Sequence, residues 1–435
     1  MASHDEEVYI AEFYSGIGGT RMSLEMIQAF FEAQVNGKKI KFNWIEAFDI
    51  NENANTLYNN LFNHKPCAKD IVHIPIGDFQ NHYFKLFKNS SLEQAKKKLK
   101  TEQTRKLMWT MSPPCQPFTL NGNRKDSEDD RSKSFLFLMA DLFPQVLPDY
   151  IFVENVKNFE ISKTRQHLVN QLENFGYKYE EYLICPTQLG LPNQRVRYYL
   201  IGKRVANITP PLEKTEELRE IPLHLITDPP KTILRDQEPL RPKIDFESSY
   251  GKEKILQLGA KLIDLYDLNS ILLTPGEEKK YQTDMIYLNE KNITKIKGYR
   301  YDLIFKDPYG KKNLTPIKSE CSCITKSYGQ VQFLRGTGPI VLILDENQML
   351  DIDSNETIYK KIDFENPVET MMPLGKLRFL HPIEVSRLMT FVPWIMNNTG
   401  KLTVKQLYKL MGNSVNPITL ANIIYLLFSS DSFLA

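Results

Sequence analysis

Up to about residue 204 the sequence alternates short apolar runs with stretches of helical periodicity, and that alternation constrains the fold more than any other feature. VYIAEFY (8–14) predicts a strand that runs into the glycine-rich SGIGG, and RMSLEMIQAFFEAQ (21–34) carries apolar residues at helical spacing. FNWIEAFDI (42–50) predicts a second strand, and NENANTLYNNLF (51–62) a second helix with Asn51 as its N-cap. LMWTMS (107–112) and DYIFVEN (149–155) are further buried strands, separated by a helical SFLFLMADLFPQVL (134–147) with Pro144 near its end. RQHLVNQLENFG (165–176) is a helix stopped by glycine, followed by strands YKYEEYLI (177–184) and VRYYLIGKR (196–204). Strands separated by helices pair most readily in parallel, with right-handed crossovers placing helices on both faces. The expected fold class is therefore α/β, a doubly wound, mostly parallel sheet.

Beyond residue 204 the character changes. Prolines pair at 210–211 and 229–230, lysines are frequent, and no sustained strand–helix alternation appears before about 375. HPIEVSRLMTF (381–391) and LTVKQLYKLMGNSVNPITLANIIYLLF (402–428) are again helix-like, broken around Gly412 and Pro417. This predicts one domain from residues 1–204 and 376–435, with a second, smaller α+β domain over 205–375. Within the smaller domain, 279–312 holds nine Lys/Arg against four Asp/Glu, interleaved with Tyr281, Tyr287, Tyr299, Tyr301 and Tyr309. That composition suits either a nucleic-acid surface or a solvated, strand-rich face. The Lys96-Lys97-Lys98 run reads as a solvated face.

Composition excludes several classes. The N-terminus MASHDEEVYIAEF is acidic and lacks the apolar core of a signal peptide, and no apolar run approaches the roughly 20 residues of a membrane span. The five cysteines (67, 115, 185, 321 and 323) form no disulfide framework, and Cys321-x-Cys323 has no second pair at zinc spacing, so no structural metal is expected. A reducing setting, cytoplasmic and also nuclear, fits free thiols. The net charge of +2 announces no nucleic-acid partner, so any basic surface must be local.

The turn Tyr14-Ser15-Gly16-Ile17-Gly18-Gly19, between strand and helix, lets backbone approach a ligand because glycine lacks a Cβ. Asp49 ends the next strand, where a carboxylate can accept ribose hydroxyls, and Asp70-Ile71 is read as ending the third. Three such positions in order suggest a nucleoside cofactor, without separating a nicotinamide from S-adenosylmethionine. Ser112-Pro113-Pro114-Cys115-Gln116-Pro117 separates them. Prolines fix φ and stiffen the turn, so Cys115 is held at a strand end as a candidate nucleophile. Glu154, closing IFVEN, could hold a proton beside it. Strand alternation would put Arg195 and Arg197 on one face, as two cations for a base carbonyl or phosphates.

In this order the glycine turn, Pro-Pro-Cys-Gln, Glu154-Asn155-Val156, the arginine pair and Gly412-Asn413-Ser414-Val415 resemble the motifs of cytosine-C5 methyltransferases. The resemblance covers roughly 8–204 and 376–428. MSPPCQPFT, ENVKNFE and PNQRVRYYLIGKR further resemble the small type-two DNA methyltransferase homologues, the aspartate-tRNA methyltransferases. That class carries Cys-Phe-Thr in its smaller domain; here Cys323-Ile324-Thr325 is followed by Lys326-Ser327-Tyr328-Gly329 and Gly336-Thr337-Gly338. Ile324 stands where the class has Phe, and Asn193 where the family has Gln.

The resemblance implies a class I, Rossmann-like methyltransferase domain with an inserted target-recognition domain over 205–375. It implies S-adenosyl-L-methionine as cofactor and S-adenosyl-L-homocysteine as product, held by Tyr14, Ser15, Gly16, Ile17, Gly18 and Gly19, with Asp49 on the ribose and Ile50 on the adenine face. Asp70 and Ile71 would take the adenine edge, joined by Ser112, Pro113, Asn413 and Ser414. It makes Cys115 the nucleophile at cytosine C6, with Glu154 on N3 and Arg195 and Arg197 on O2 and the site backbone. Pro114, Gln116, Cys323, Thr325 and Lys326 would face substrate. No residue is singled out as the base that removes the C5 proton. The implied partner is tRNA, aspartate tRNA in particular, methylated at cytosine 38 of the anticodon loop. The rivals are a DNA cytosine methyltransferase, which shares the catalytic motifs, and a catalytically idle nucleic-acid binder. A cysteine hydrolase lacks a suitably spaced histidine among those at 4, 64, 73, 82, 167, 224 and 381.

Overall fold

The computed structural model describes residues 6–33, 39–74, 105–118, 126–189, 191–205, 271–297, 302–307, 320–330, 338–349, 358, 360–391 and 398–428. Lys96-Lys97-Lys98, the proline pairs at 210–211 and 229–230, Tyr299, Tyr301, Tyr309 and Gly336-Thr337 lie outside these residues. Packing divides the chain into two units: Met1–Ile184 with Val196–Gly251 and Pro417–Ala435, and Cys185–Arg195 with Lys252–Asn416.

The first unit is built on a sheet of β1 (Glu6–Phe13), β2 (Ile40–Phe48), β3 (Arg105–Met111), β4 (Tyr150–Val156), β5 (Tyr177–Ile184) and β6 (Arg197–Arg204). Their spatial order is β2-β1-β3-β4-β6-β5. β1, β2, β3 and β4 pair in parallel, whereas β6 runs antiparallel to both of its neighbours. The mostly parallel sheet expected from the alternation is thus present, with one reversed strand. Period two assigns the faces: Ala11, Phe13, Trp109, Met111, Ile151, Val153, Tyr198 and Leu200 join one apolar cluster. The intervening residues, Glu12, Thr110 and Glu154 among them, therefore share the opposite face.

Helix α1 (Gly19–Ala33) and helix α6 (Pro417–Tyr425) pack on one another, with Phe31 stacked on Tyr425 at 5.6 Å. The Ser23 hydroxyl donates to the Pro417 carbonyl at 2.8 Å. Phe428 then meets Phe42 and Tyr150 edge-on at 5.5 and 5.1 Å, closing this face over the strands. Helix α2 (Glu52–Phe62) starts at Asn51, whose side chain accepts the Asn53 and Ala54 amides. Helix α3 (Lys163–Asn174) is capped by Ser162, and Gly176 at φ +71° turns the chain into β5.

Two expectations need correction here. The single helix over 134–147 is instead helical at Lys133–Phe137, widened to a π turn at Leu138–Leu142, and helical again at Phe143–Val146. Pro144 has no amide to continue the ladder, and the wide turn absorbs the mismatch. Nor does Asp70 end a strand. The chain makes a lone bridge between Cys67 and Phe48, and Asp70 then caps a 3-10 turn, Ile71–His73, by accepting the Val72 amide at 3.2 Å.

The second unit contains β7 (Leu303–Lys306), β8 (Ile340–Leu344) and β9 (Gly375–Phe379), in the order β7-β8-β9. β9 pairs antiparallel with β8 over five residues, Gly375 to Phe379. By packing, the chain belongs with this unit through residue 416. Helices α4 (Pro382–Leu388) and α5 (Val404–Gly412) belong to the same unit and pack on each other. At its centre Arg378 and Glu384, both fully buried, pair at 2.6 Å, and Glu278 bridges Arg378 to Lys306. Burial favours the neutral carboxyl of Glu384, but Arg378 overrides it and holds the group below its ordinary range.

Candidate active site

β1 delivers the glycine turn. Tyr14, Gly16 and Gly18 all have positive φ (58°, 53° and 83°), and the backbone folds over itself with the Gly18 amide on the Ser15 carbonyl at 2.9 Å. A Cβ on Gly18 would stand 2.2 Å from the Phe62 ring, so the turn can lie against α2 with glycine at this position. On its open side the opposite holds: a Cβ on Gly16 would meet nothing within 4 Å. Asp49 closes the turn from β2. Its Oδ2 accepts the Gly16 amide and its Oδ1 the Asn51 amide, each at 2.8 Å, while its carbonyl accepts from the Asn55 side chain at 2.7 Å. Burial raises its pKa, and the two amides oppose that shift.

This turn fits a nucleoside with an amino-acid tail. The Ser15 hydroxyl is buried and has no hydrogen-bond partner among the described residues, a cost of about 1–3 kcal/mol that a polar ligand would relieve. The turn leads directly into the N-terminus of α1, which favours a carboxylate. Ile50, 68% exposed, presents apolar surface beside Asp49, as an adenine face requires. Ile71 is 4% exposed and belongs to the apolar cluster, so its side chain packs in the core. The Tyr14 hydroxyl donates to Ser134 at 2.9 Å, tying the turn to the helical segment 133–146.

Ser112-Pro113-Pro114-Cys115 continues from β3, with the Ser112 amide on the Phe13 carbonyl at 3.3 Å. The Asn155 side chain donates to the Pro113 carbonyl at 3.3 Å, and Phe118 closes a turn on the Cys115 carbonyl at 3.0 Å. The thiol is half-buried and outside any disulfide. Glu154, on the neighbouring strand β4, is 8% exposed, and Arg197 at the start of β6 meets it with Nε 3.5 Å from Oε1. Cys115, just past the end of β3, Glu154 on β4 and Arg197 at the start of β6 thus all lie in the first unit.

Arg195 diverges from this group. β6 begins only at Arg197, so strand alternation does not extend to Arg195, which packs in the second unit and is 3% exposed. There its guanidinium donates to Cys323 Sγ at 3.2 Å, to the Ile324 and Gly412 carbonyls at 3.0 and 3.3 Å, and to the Ser414 carbonyl. It therefore joins the Cys323-Ile324-Thr325 segment to Gly412-Asn413-Ser414. A Cβ on Gly412 would stand 2.3 Å from the Thr325 carbonyl, so glycine permits the close backbone approach. Ile324, in place of the class Phe, is fully buried and packs near Gly338. Lys326 and Asn413 are exposed, and Thr325 and Ser414 are half-buried.

One cation escaped sequence reasoning. Arg131, in the charged run before the helix at 133, lies within electrostatic reach of Cys115. Asp129 holds its Nε and Nη2 at 2.8 and 2.7 Å, a fork geometry that presents a fixed guanidinium. The available signal was the Asp-x-Arg step ahead of an apolar helix, a cap pattern that gave no reason to place it near the thiol.

An alternating α/β sheet with a glycine turn on β1, a proline-held thiol after β3 and an acid at the end of β4 defines a class of base-modifying methyltransferase. The model of the C-5 cytosine-specific DNA methylase family matches residues 8–429, and the chain belongs to that family. Its members use S-adenosylmethionine as methyl donor. The chain is 32% identical to a tRNA (cytosine(38)-C(5))-methyltransferase of Bos taurus, over 97% of this chain and 99% of the relative. It is 30% identical to a DNA (cytosine-5)-methyltransferase of Dictyostelium discoideum, over 98% and 96%. Among solved structures it resembles the S. pombe Dnmt2 methyltransferase, with TM-score 0.60 and 26% identity over 97% and 98% of the two chains. No helix among the described residues is long and apolar enough to cross a membrane, and no group of three metal-ligating side chains occurs among them.

Proposed function

We propose that the chain methylates C5 of cytosine 38 in the anticodon loop of tRNA, with aspartate tRNA as substrate. The observation that carries the chemistry is the placing of Cys115, just past β3, in the same unit as Glu154 on β4 and Arg197 at the start of β6. The names of the bovine, human and fission-yeast relatives support the RNA substrate. The Dictyostelium relative, named for DNA, keeps duplex DNA as the second reading. An unpaired loop base avoids the few kcal/mol needed to flip a base from a duplex.

S-adenosylmethionine, when bound, supplies a methyl group on a cationic sulfur; Tyr14 to Gly19, Asp49, Ile50, Asp70, Ser112 and Pro113 hold it on this reading. Asn413 and Ser414 are assigned to it on the sequence resemblance. Cytosine C5 is a weak nucleophile until a nucleophile has added at C6. The Cys115 thiolate adds to C6, the C5–C6 π electrons shift into the ring, and Glu154 holds the proton at N3 that neutralises the developing charge. Arg197 stabilises charge at O2, and its contact with Glu154 fixes both groups for the base. Arg195 acts on the backbone, through the Gly412 and Ser414 carbonyls. After C5 is alkylated and its proton lost, the C6–S bond breaks and returns the electron pair to Cys115. Pro114, Gln116, Cys323, Thr325 and Lys326 are the proposed substrate contacts.

Bisulfite sequencing of total tRNA incubated with the protein and cofactor tests the reading, beside an unmethylated DNA duplex. Conversion-resistant cytosine 38 in aspartate tRNA, absent with Cys115→Ala, is the expected result. Methylation of the duplex alone would overturn the RNA assignment, and an active Cys115→Ala protein would overturn the mechanism.

A further inference from the structure

A buried ionisable cluster lies directly beneath the glycine turn and takes no part in the chemistry above. Glu12, on β1 two residues before Tyr14, is 1% exposed, and its Oε2 accepts the Tyr58 hydroxyl of α2 at 2.8 Å. Arg21, in the first turns of α1, brings Nη1 to 3.5 Å from the same hydroxyl and to 3.4 Å from His64 Nδ1. Its guanidinium lies over the Trp44 and Phe62 rings at 4.5 and 4.6 Å, and its Nε meets Glu25 at 3.3 Å. His64 in turn reaches Glu46 of β2 at 3.4 Å. The two rings that would collide with a Cβ on Gly18, Phe62 and Tyr58, are members of this cluster. The cluster thus joins β1, α1 and α2 around the point where the backbone must turn.

We propose that Glu12, Tyr58 and Arg21 are positioning residues for the cofactor, whose carboxyl–hydroxyl–guanidinium link holds the glycine turn in its binding conformation. The inference rests on the cofactor reading of that turn. Glu12 receives the Tyr58 hydroxyl of α2, and that hydroxyl meets Arg21 of α1, so the link draws both helices to β1. As a neutral acid Glu12 keeps an acceptor without the cost of a buried charge; as a carboxylate it carries that cost, and the packing beneath the turn loosens. Burial raises the Glu12 carboxyl to about 7, with Tyr58 and Arg21 opposing and Glu25 adding to the rise. Cofactor binding on this scheme favours the packed turn and takes up a proton at Glu12, so affinity is full at low pH and falls as pH rises through 7.

The test is calorimetric titration of the full chain with S-adenosylhomocysteine between pH 5.5 and 8. The wild type should weaken by about fivefold or more as pH rises across that range, and Glu12→Gln should show a flat profile. Tyr58→Phe, which removes a single hydroxyl, should move the fall to higher pH, because the charged carboxyl loses a donor; it serves if Glu12→Gln does not fold. A flat wild-type profile, or the wild-type fall persisting in Glu12→Gln, overturns the proposal while leaving the cofactor reading intact. Absence of binding at every pH overturns both. Asp49 is also buried and could impose its own pH dependence, but that dependence would survive in Glu12→Gln and so count against Glu12.

Discussion

Glu154 and Arg197 face each other at 3.5 Å, an ion pair that holds both side chains in place. Glu154→Gln keeps shape but removes the carboxyl proposed to hold the N3 proton, so kcat should fall by about 10²- to 10⁴-fold with little change in cofactor binding. Single-turnover methyl transfer, with S-adenosylhomocysteine affinity as control, checks this. Arg131 lends positive charge near the Cys115 thiol, and Arg131→Gln should raise the pH at which the rate reaches half its maximum. A pH–rate profile unchanged in that variant would remove Arg131 from the reaction. Glu12 also bears on stability. Its carboxyl titrates at about 7 in the folded chain against 4.5 ordinarily, so the fold binds this proton more tightly than the unfolded chain does. That contribution is full below 4.5 and is lost as pH rises through 7, on the order of 3 kcal/mol. Urea unfolding at pH 5 and 8 should show wild type losing stability relative to Glu12→Gln by about that order.

Among elements, those whose boundaries are set by local chemistry were legible from the chain alone. Asn51 caps α2 as its residue type predicts, and Gly176 ends the turn after α3 with a positive φ. YKYEEYLI matches β5 residue for residue. Segments governed by distant partners were not legible. β9 looks like a short polar lead into a helix, and becomes a strand because β8 offers it a ladder. Arg195 and Arg197, two residues apart, separate because β6 begins only at Arg197. At the end of α5, Gly412 admits the Thr325 carbonyl at a distance that any side chain would obstruct. Gly412→Ala should therefore destabilise the second unit by about 1–3 kcal/mol and lower its unfolding midpoint in a thermal melt. If the melt were unchanged, the close approach would not hold in solution.

Each of the two units has its own source of stability. In the first, aromatic and branched side chains such as Phe13, Trp109, Phe143 and Leu200 are buried at 0–1% exposure, and each contributes about 1.5–3 kcal/mol. In the second, Arg378, Glu384, Glu278 and Lys306 form a buried ionic network. Removing one partner strands a charge, so Glu384→Gln should cost about 3–5 kcal/mol, while a paired Arg378→Met, Glu384→Leu change should cost much less. Chemical unfolding of the single and double variants separates the two outcomes. By itself the sequence determined the alternating sheet, the glycine turn and the order of Cys115, Glu154 and Arg197, because periodicity and turn chemistry are local. It also placed the chain beside the cytosine-C5 methyltransferases. The tertiary structure decided which residues those motifs meet: Arg131, forked by Asp129, within electrostatic reach of the thiol, Arg195 bound to the Cys323 and Gly412 segments, and Glu12 beneath Gly18. Those contacts join residues far apart in the chain, and only the packing of helices and strands brings the partners within reach.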